Sequence, residues 1–214
     1  MLQSYRCTAQ EVEAERIEKK SRFIARVAPA ATQEAAETFV AKVRQMHSDA
    51  NHNVPAYIIG VQAEIQKCSD DGEPSGTSGA PILEVLKAHT LVNTVVVVTR
   101  YFGGTLLGRG GLIRAYAGTA KDALVKSGVA LYTPHRKVQV TVDYTAAGRI
   151  ENALQTQGHV PTAIDYTADV TFHLLLLPEA AESVRMQIQE LTADQFLWTE
   201  GEEVYGKRTV PLES

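Results

Sequence analysis

VVVVTRYFGGTLLGRGGLIRAYAGTAKDALVKS, residues 95–127, decides how the first part of the chain is read. Four consecutive valines, Val95, Val96, Val97 and Val98, form a short β-branched run, the pattern of a strand buried on both faces. The run breaks at Gly103 and Gly104, and again at Gly108, Gly110 and Gly111. From Leu112 the residues Ile113, Ala117, Ala120 and Leu124 recur at helical spacing, and Gly128 stands where a C-terminal cap belongs. The order is strand, glycine-rich turn, helix. Such a turn lets a ligand or a second backbone come close, and the helix start directs unpaired N–H groups over it.

Positive charge gathers around this stretch. Residues 99–136 hold six basic side chains, Arg100, Arg109, Arg114, Lys121, Lys126 and Arg136, against one acid, Asp122. The whole chain carries 21 basic and 25 acidic residues, so the excess is local. Arg114 and Lys121 are seven apart and share a helical stripe, with Gly118 between them presenting no side chain. Two readings fit: an anion seated over the glycine turn, or an ordinary solvated helix face.

A length of 214 residues suits one large domain or two modest ones. With 44% hydrophobic and 21% charged residues the composition is that of a globular protein. No apolar run approaches the ~20 residues of a membrane span, and the opening MLQSYRCTAQ lacks a charged-then-apolar leader layout. Cys7 and Cys68 supply neither a disulfide framework nor zinc spacing. The expectation is a cytoplasmic protein with free thiols and no membrane partner. Residues 1–134 hold 15 basic and 13 acidic side chains, whereas residues 135–214 hold 6 and 12, so a polyanion would meet the first part.

The remaining periodicities give the architecture. Residues 1–10 read as an opening strand, 11–20 as an exposed hairpin or edge, and 20–27 as a half-buried strand stopped by Pro29. Thr32 caps a helix whose apolar face is Ala36, Phe39, Val43 and Met46. Asn51, His52 and Asn53 form a polar turn, with His52 a structural hydrogen-bonding residue, and residues 54–60 the next strand. Residues 67–81, KCSDDGEPSGTSGAP, are a second glycine-rich loop, carrying Ser69, Asp70, Asp71, Gly72, Glu73, Ser75, Gly76 and Thr77. Its backbone N–H groups suit an anion-binding nest, and Asp70 and Asp71 are weak candidates for a hard cation. The stronger expectation is that its acids cap the next helix, which Pro81 opens. After a boundary near 132–136 the order is β-α-β-β-α-β over residues 137–204: Thr145 caps the first helix, Pro178 opens the second, and residues 205–214 form a loose tail. The fold class is α+β.

Motifs for a P-loop, a zinc protease, a nucleophile elbow or a Cys pair are absent, and no nucleophile–base pair emerges from spacing. Four segments are specific: EKKSRF at 18–23, NHN at 51–53, CSDDGEPSGTSGAPI at 68–82 and RYFGGTLLGRGGLIRAY at 100–116. Together they resemble the IMPACT family, in its bacterial YigZ-type branch, over nearly the whole chain. The resemblance implies an N-terminal domain (residues 1–134) like a domain of a small-subunit ribosomal protein, and a ferredoxin-like C-terminal domain similar to the fifth domain of elongation factor G. In the eukaryotic branch the family regulates translation by competing for the activator of a starvation-responsive initiation-factor kinase, a pathway not carried over to this chain. It supplies no catalytic residues to transfer. Arg109 stands where the family commonly has a small or uncharged residue, and Val54 where it usually has Cys.

The leading expectation is a non-enzymatic RNA- or ribosome-binding protein linked to translation. Lys20, Arg22, Arg100, Arg109, Arg114 and Lys121 would meet phosphate beside Gly103, Gly104, Gly110 and Gly111. Tyr101, Phe102 and Tyr116 lie among these cations where bases stack, with packing the stronger reading for Phe102. The alternatives are a nucleotide- or phosphate-binding enzyme in which Asp70 and Asp71 hold Mg2+, and an adaptor whose acidic C-terminal domain meets a protein partner.

Overall fold

The computed structural model describes residues 2–212. The chain divides into two compact units, residues 5–131 with 208–212, and residues 2–4 with 132–207. It passes from one unit to the other within β7 (Val129–Val142) and returns within β10 (Leu197–Val210).

The first unit is built on the valine run. That run lies in β6 (Thr94–Tyr101), the middle strand of an antiparallel sheet ordered β2-β3-β6-β4-β5. Its companions are β2 (Val12–Glu18), β3 (Ser21–Pro29), β4 (His52–Ile59) and β5 (Ile65–Cys68). Because strand side chains alternate, Val96 and Val98 enter one core with Phe23, Ala25, Val54, Ala56 and Tyr116. Val95 and Val97 enter another with Phe39, Val40, Val43 and Tyr57. Helices α2 (Gly79–Ala88) and α3 (Arg109–Ser127) cover the first face, and α1 (Gln33–Met46) covers the second. Thr32 caps α1 by accepting the Ala35 N–H at 3.1 Å. The short strand β1 (Tyr5–Thr8) is tied in by the Thr8–Ser127 hydroxyl bond at 2.5 Å.

The second unit holds β7, α4 (Tyr144–Thr156), β8 (Ala163–Tyr166), β9 (Val170–Leu176), α5 (Pro178–Thr192) and β10. The sheet has five strands in the order β1-β7-β9-β8, with β10 also paired to β7. This is the split β-α-β arrangement of a ferredoxin-like domain. Val138, Val140 and Val142 pack with Phe172 and Leu174 against Ile150, Leu154, Val184 and Ile188. The other sheet face is polar: Thr141 meets Thr171 at 2.8 Å, and His173 Nε2 meets Asp165 at 2.7 Å.

Several boundaries differ from the sequence reading. β3 is buried on both faces rather than half-buried, because helices cover both sides of the sheet. Met46 and Ile113, read as core, are exposed. His52 opens β4 instead of sitting in a turn. Helix α3 starts at Arg109, and Asp143 rather than Thr145 caps α4, accepting the Ala146 N–H at 2.8 Å. The tail is not loose as far as Leu212: β10 extends to Val210, and Leu212 is 6% exposed in the core of the first unit; residues 213–214 lie outside the described residues. Among the described residues no helix is long and apolar enough to cross a membrane.

Leu212→Ala is expected to destabilise the first unit by about 2–3 kcal/mol through lost burial and a residual cavity. Chemical denaturation followed by the Tyr and Trp signals checks this; an unchanged midpoint would show that the C-terminal segment contributes nothing to the core.

Candidate functional site

The two glycine-rich loops, distant in sequence, meet at one cleft of the first unit. Glu73, from the first loop, is buried and its Oε1 accepts from Arg100 Nη1 at 2.6 Å and from the Tyr116 hydroxyl at 2.7 Å. Arg100 Nη2 donates to Ser21 Oγ at 3.3 Å, and Ser21 Oγ also accepts the Gly103 N–H at 3.2 Å. The Arg100 guanidinium lies 5.4 Å from the Phe23 ring centroid and 5.3 Å from that of Phe102. Burial, then the bond to Glu73, holds the Tyr116 phenol well above its ordinary 10.0. His52 Nε2 lies 3.8 Å from Glu73 Oε1, while its Nδ1 contacts the Asp71 carbonyl at 2.7 Å. A carbonyl only accepts, so Nδ1 carries the proton of that bond.

The first loop is closed on itself. The Asp70 carboxylate accepts the N–H groups of Gly76 at 2.8 Å, Ser78 at 3.2 Å and Gly79 at 2.9 Å, and the Ser78 hydroxyl at 2.7 Å. Ser78, the residue before α2, makes no cap bond with its own side chain, so Asp70 fills that role. Burial raises the Asp70 pKa, but the bonds from Gly76, Ser78 and Gly79 outweigh it and hold the carboxyl below its ordinary 3.8. Gly79 has no alternative, because a Cβ there would lie 2.6 Å from Ser69 O. Asp71 pairs with Arg44 at 2.8 Å and accepts the Asn53 N–H at 2.7 Å.

The second loop is open. Gly108 precedes α3 without a side-chain cap. Arg109 Nη2 donates to Ser75 O at 3.1 Å and joins the two loops. Between them is a cleft of about 470 Å3 with His52, Glu73 and Arg100 among its polar lining and Pro74, Phe102, Leu107 and Leu112 among its apolar lining. Gly103 is packed against the β2–β3 hairpin: a Cβ on it would lie 2.1 Å from Lys20 O. The hairpin has a two-residue tip, Lys19 and Lys20, at φ 44° and 70°.

The family model for the Impact N-terminal domain matches residues 19–124, and a model described as Domain of unknown function (DUF1949) matches residues 140–195. The IMPACT family member YvyE of Bacillus subtilis (strain 168) is 40% identical over 210 residues, 98% of this chain and 97% of that protein. The chain belongs to the IMPACT family. The IMPACT family member YigZ of Escherichia coli (strain K12) is 39% identical over 161 residues, covering 74% of this chain and 78% of that one. A crystal structure described as that of a hypothetical protein aligns with a TM-score of 0.60 at 31% identity, over 94% of this chain and 99% of the other.

On this IMPACT scaffold the expected phosphate-binding residues part company. Arg100 is 5% exposed and neutralised by Glu73, so it serves the core of the site and is no free cation. Arg22 is paired with Glu15 at 2.8 Å. Lys121 lies twelve residues along α3 from Arg109, about 18 Å, away from the cleft. Gly118 makes room for Arg16, whose guanidinium occupies the space of its missing Cβ and which pairs with Asp122 at 2.8 Å. Lys19, which sequence reasoning passed over, stands with Lys20, Arg109 and Arg114 among the exposed cations. Among the described residues none of these four forms an ion pair.

The aromatic expectations invert. Tyr116 is fully buried, and Tyr101 is held by Asp49 at 3.0 Å and His47 at 3.0 Å, so neither is a platform for a base. Phe102, read as packing, is 44% exposed at the cleft. The Mg2+ alternative does not fit either. The Asp70 and Asp71 oxygens are committed to amides, a hydroxyl and Arg44, and among the described residues no group of three or more His, Cys, Asp or Glu side chains is placed to hold a metal.

Arg100→Ala leaves Glu73 buried without its countercharge and is expected to cost about 3–5 kcal/mol. Combining it with Glu73→Gln restores part of that loss, measurable as a double-mutant cycle in urea; purely additive losses would show the two side chains to be independent. Asp70→Ala is expected to cost about 1–2 kcal/mol at neutral pH, as a lost helix cap does. The depressed carboxyl stabilises the fold above its ordinary pKa, and that contribution is lost as pH falls through the lower folded value. The gap between wild type and Asp70→Ala therefore narrows in acid below 3.8; a gap independent of pH would contradict the capping role.

Proposed function

We propose that the first unit is a non-enzymatic RNA-binding module, acting on the ribosome or a structured RNA in a translation-linked role, as family membership suggests. The observation that carries this reading is the Lys19–Lys20 tip. Both residues have positive φ, the mirror-type turn that Asn-Gly forms without strain and that β-carbon sterics disfavour in lysine. Lysine in this place sacrifices local stability and positions two cations beside the Gly103–Gly104 loop. Arg109 and Arg114 continue the positive surface onto α3, where the Arg114 guanidinium reaches back to within 3.6 Å of the place of a Cβ on Gly110. Such a surface binds phosphate through charge, with little dependence on sequence.

The turn separates binding from folding. Lys19→Asn with Lys20→Gly is expected to stabilise the hairpin by about 1 kcal/mol while weakening association with ribosomes or RNA. Adding Arg109→Ala and Arg114→Ala flattens the salt dependence further, by about 0.7 in log–log slope for each lost contact to a single strand. Co-sedimentation with ribosomes and fluorescence anisotropy with RNA across a salt series measure both. Unchanged binding by the stabilised double variant would overturn the reading.

A further inference from the structure

Three features of the 470 Å3 cleft remain unexplained by phosphate binding along the surface. The first is Phe102. Its backbone N–H is pinned by Asn51 Oδ1 at 2.8 Å and its ring rests against the Arg100 guanidinium, yet it stays 44% exposed at the cleft. A large apolar ring fixed from behind and open in front is a platform. The second is Arg100, a lining residue of the same cleft, whose Nε is buried and has no hydrogen-bond partner among the described residues, although both Nη atoms do. A buried charged N–H without an acceptor is costly, which marks this wall of the cleft as incompletely satisfied by the chain itself. The third is the uncapped start of α3 at Gly108 and Arg109, which borders the cleft and favours an anion.

We propose that this cleft receives one unpaired nucleotide of the bound RNA, its base against Phe102 and its phosphate at the start of α3 beside Arg109. The inference rests on the RNA reading above and sharpens it. The volume falls within the range of about 300–1,000 Å3 typical of small-ligand clefts. The mixed lining suits a base, which brings an apolar face and polar edges. Lys19, Lys20 and Arg114 nearby favour a polyanion over an apolar peptide end. The base must be unpaired, because a platform needs a free face and duplex stacking leaves none.

Anisotropy with a labelled single-stranded RNA 12-mer and with the corresponding duplex tests this on the full chain. The variants are Phe102→Leu and Phe102→Trp, with circular dichroism confirming that each is folded. The wild type is expected to favour the single strand. Phe102→Leu weakens single-strand binding about tenfold and leaves duplex binding unchanged, while Phe102→Trp restores it. If Phe102→Leu binds the single strand as the wild type does, with salt-sensitive affinity, the cleft proposal falls and the RNA reading survives. If the wild type binds neither RNA, both fall. If a nucleoside 5′-monophosphate binds in a Phe102-dependent way and the 12-mer does not, the cleft belongs to a free nucleotide and the proposal is overturned.

Discussion

The buried pair of Glu73 and Arg100 is the constraint on which the site depends. Removing both charges from water is expensive, and an isolated pair rarely recovers the cost. Here the Tyr116 hydroxyl and Ser21 Oγ supply further hydrogen bonds, and Phe23 and Phe102 lie against the guanidinium. Each partner comes from a different part of the first unit: the first glycine loop, the end of β6, the interior of α3 and the start of β3. The first loop cannot shift without orphaning a charge, and the second is tied to the same guanidinium through Ser21 and Phe102. The pair thereby joins four separated segments at one point.

The two helix starts beside these loops show how similar glycine-rich composition serves opposite ends. Ahead of α2, three N–H groups converge on Asp70, an anion supplied by the chain itself. That nest is full and works as a cap. Ahead of α3 the residue is Gly108, which has no side chain to offer, and the next is Arg109. The positive end of the α3 dipole and a guanidinium therefore stand together with no internal carboxylate cap. The first helix start is closed to an outside anion and serves to hold the loop that walls the cleft, whereas the second is left without a cap.

The parts of the fold that rest on periodicity were legible in the sequence. The valine run and the alternation of Val138, Val140 and Val142 each report a burial pattern through local spacing, whereas of the four α3 positions read as apolar face only Ala120 and Leu124 are buried. The parts that rest on distant partners were not. Arg100 looks like a free cation until Glu73, twenty-seven positions away, is folded beneath it. Phe102 and Tyr116 exchange their expected roles for the same reason: which ring is covered depends on where α3 crosses β3, and neighbouring residues carry no record of it. The C-terminal segment read as loose because nothing local marks Leu212 as a core residue of a unit that begins at Tyr5. Lys19 was passed over because positive φ in a lysine leaves no mark on composition.

That strain also limits what kind of protein this unit can be. A hairpin tip of Asn-Gly would form the same turn at lower cost, and the backbone contact of Lys20 with Gly103 needs no side chain on either partner. Packing therefore does not ask for lysine at either position. Solubility does not ask for it either, since β2 already carries Glu13, Glu15, Arg16 and Glu18. What the two side chains add is positive charge at the tip of a hairpin whose backbone packs against Gly103. A surface built this way places its rigidity in the core, leaves its cations exposed and without ion pairs among the described residues, and concentrates its cost at a two-residue turn that the rest of the sheet is able to bear.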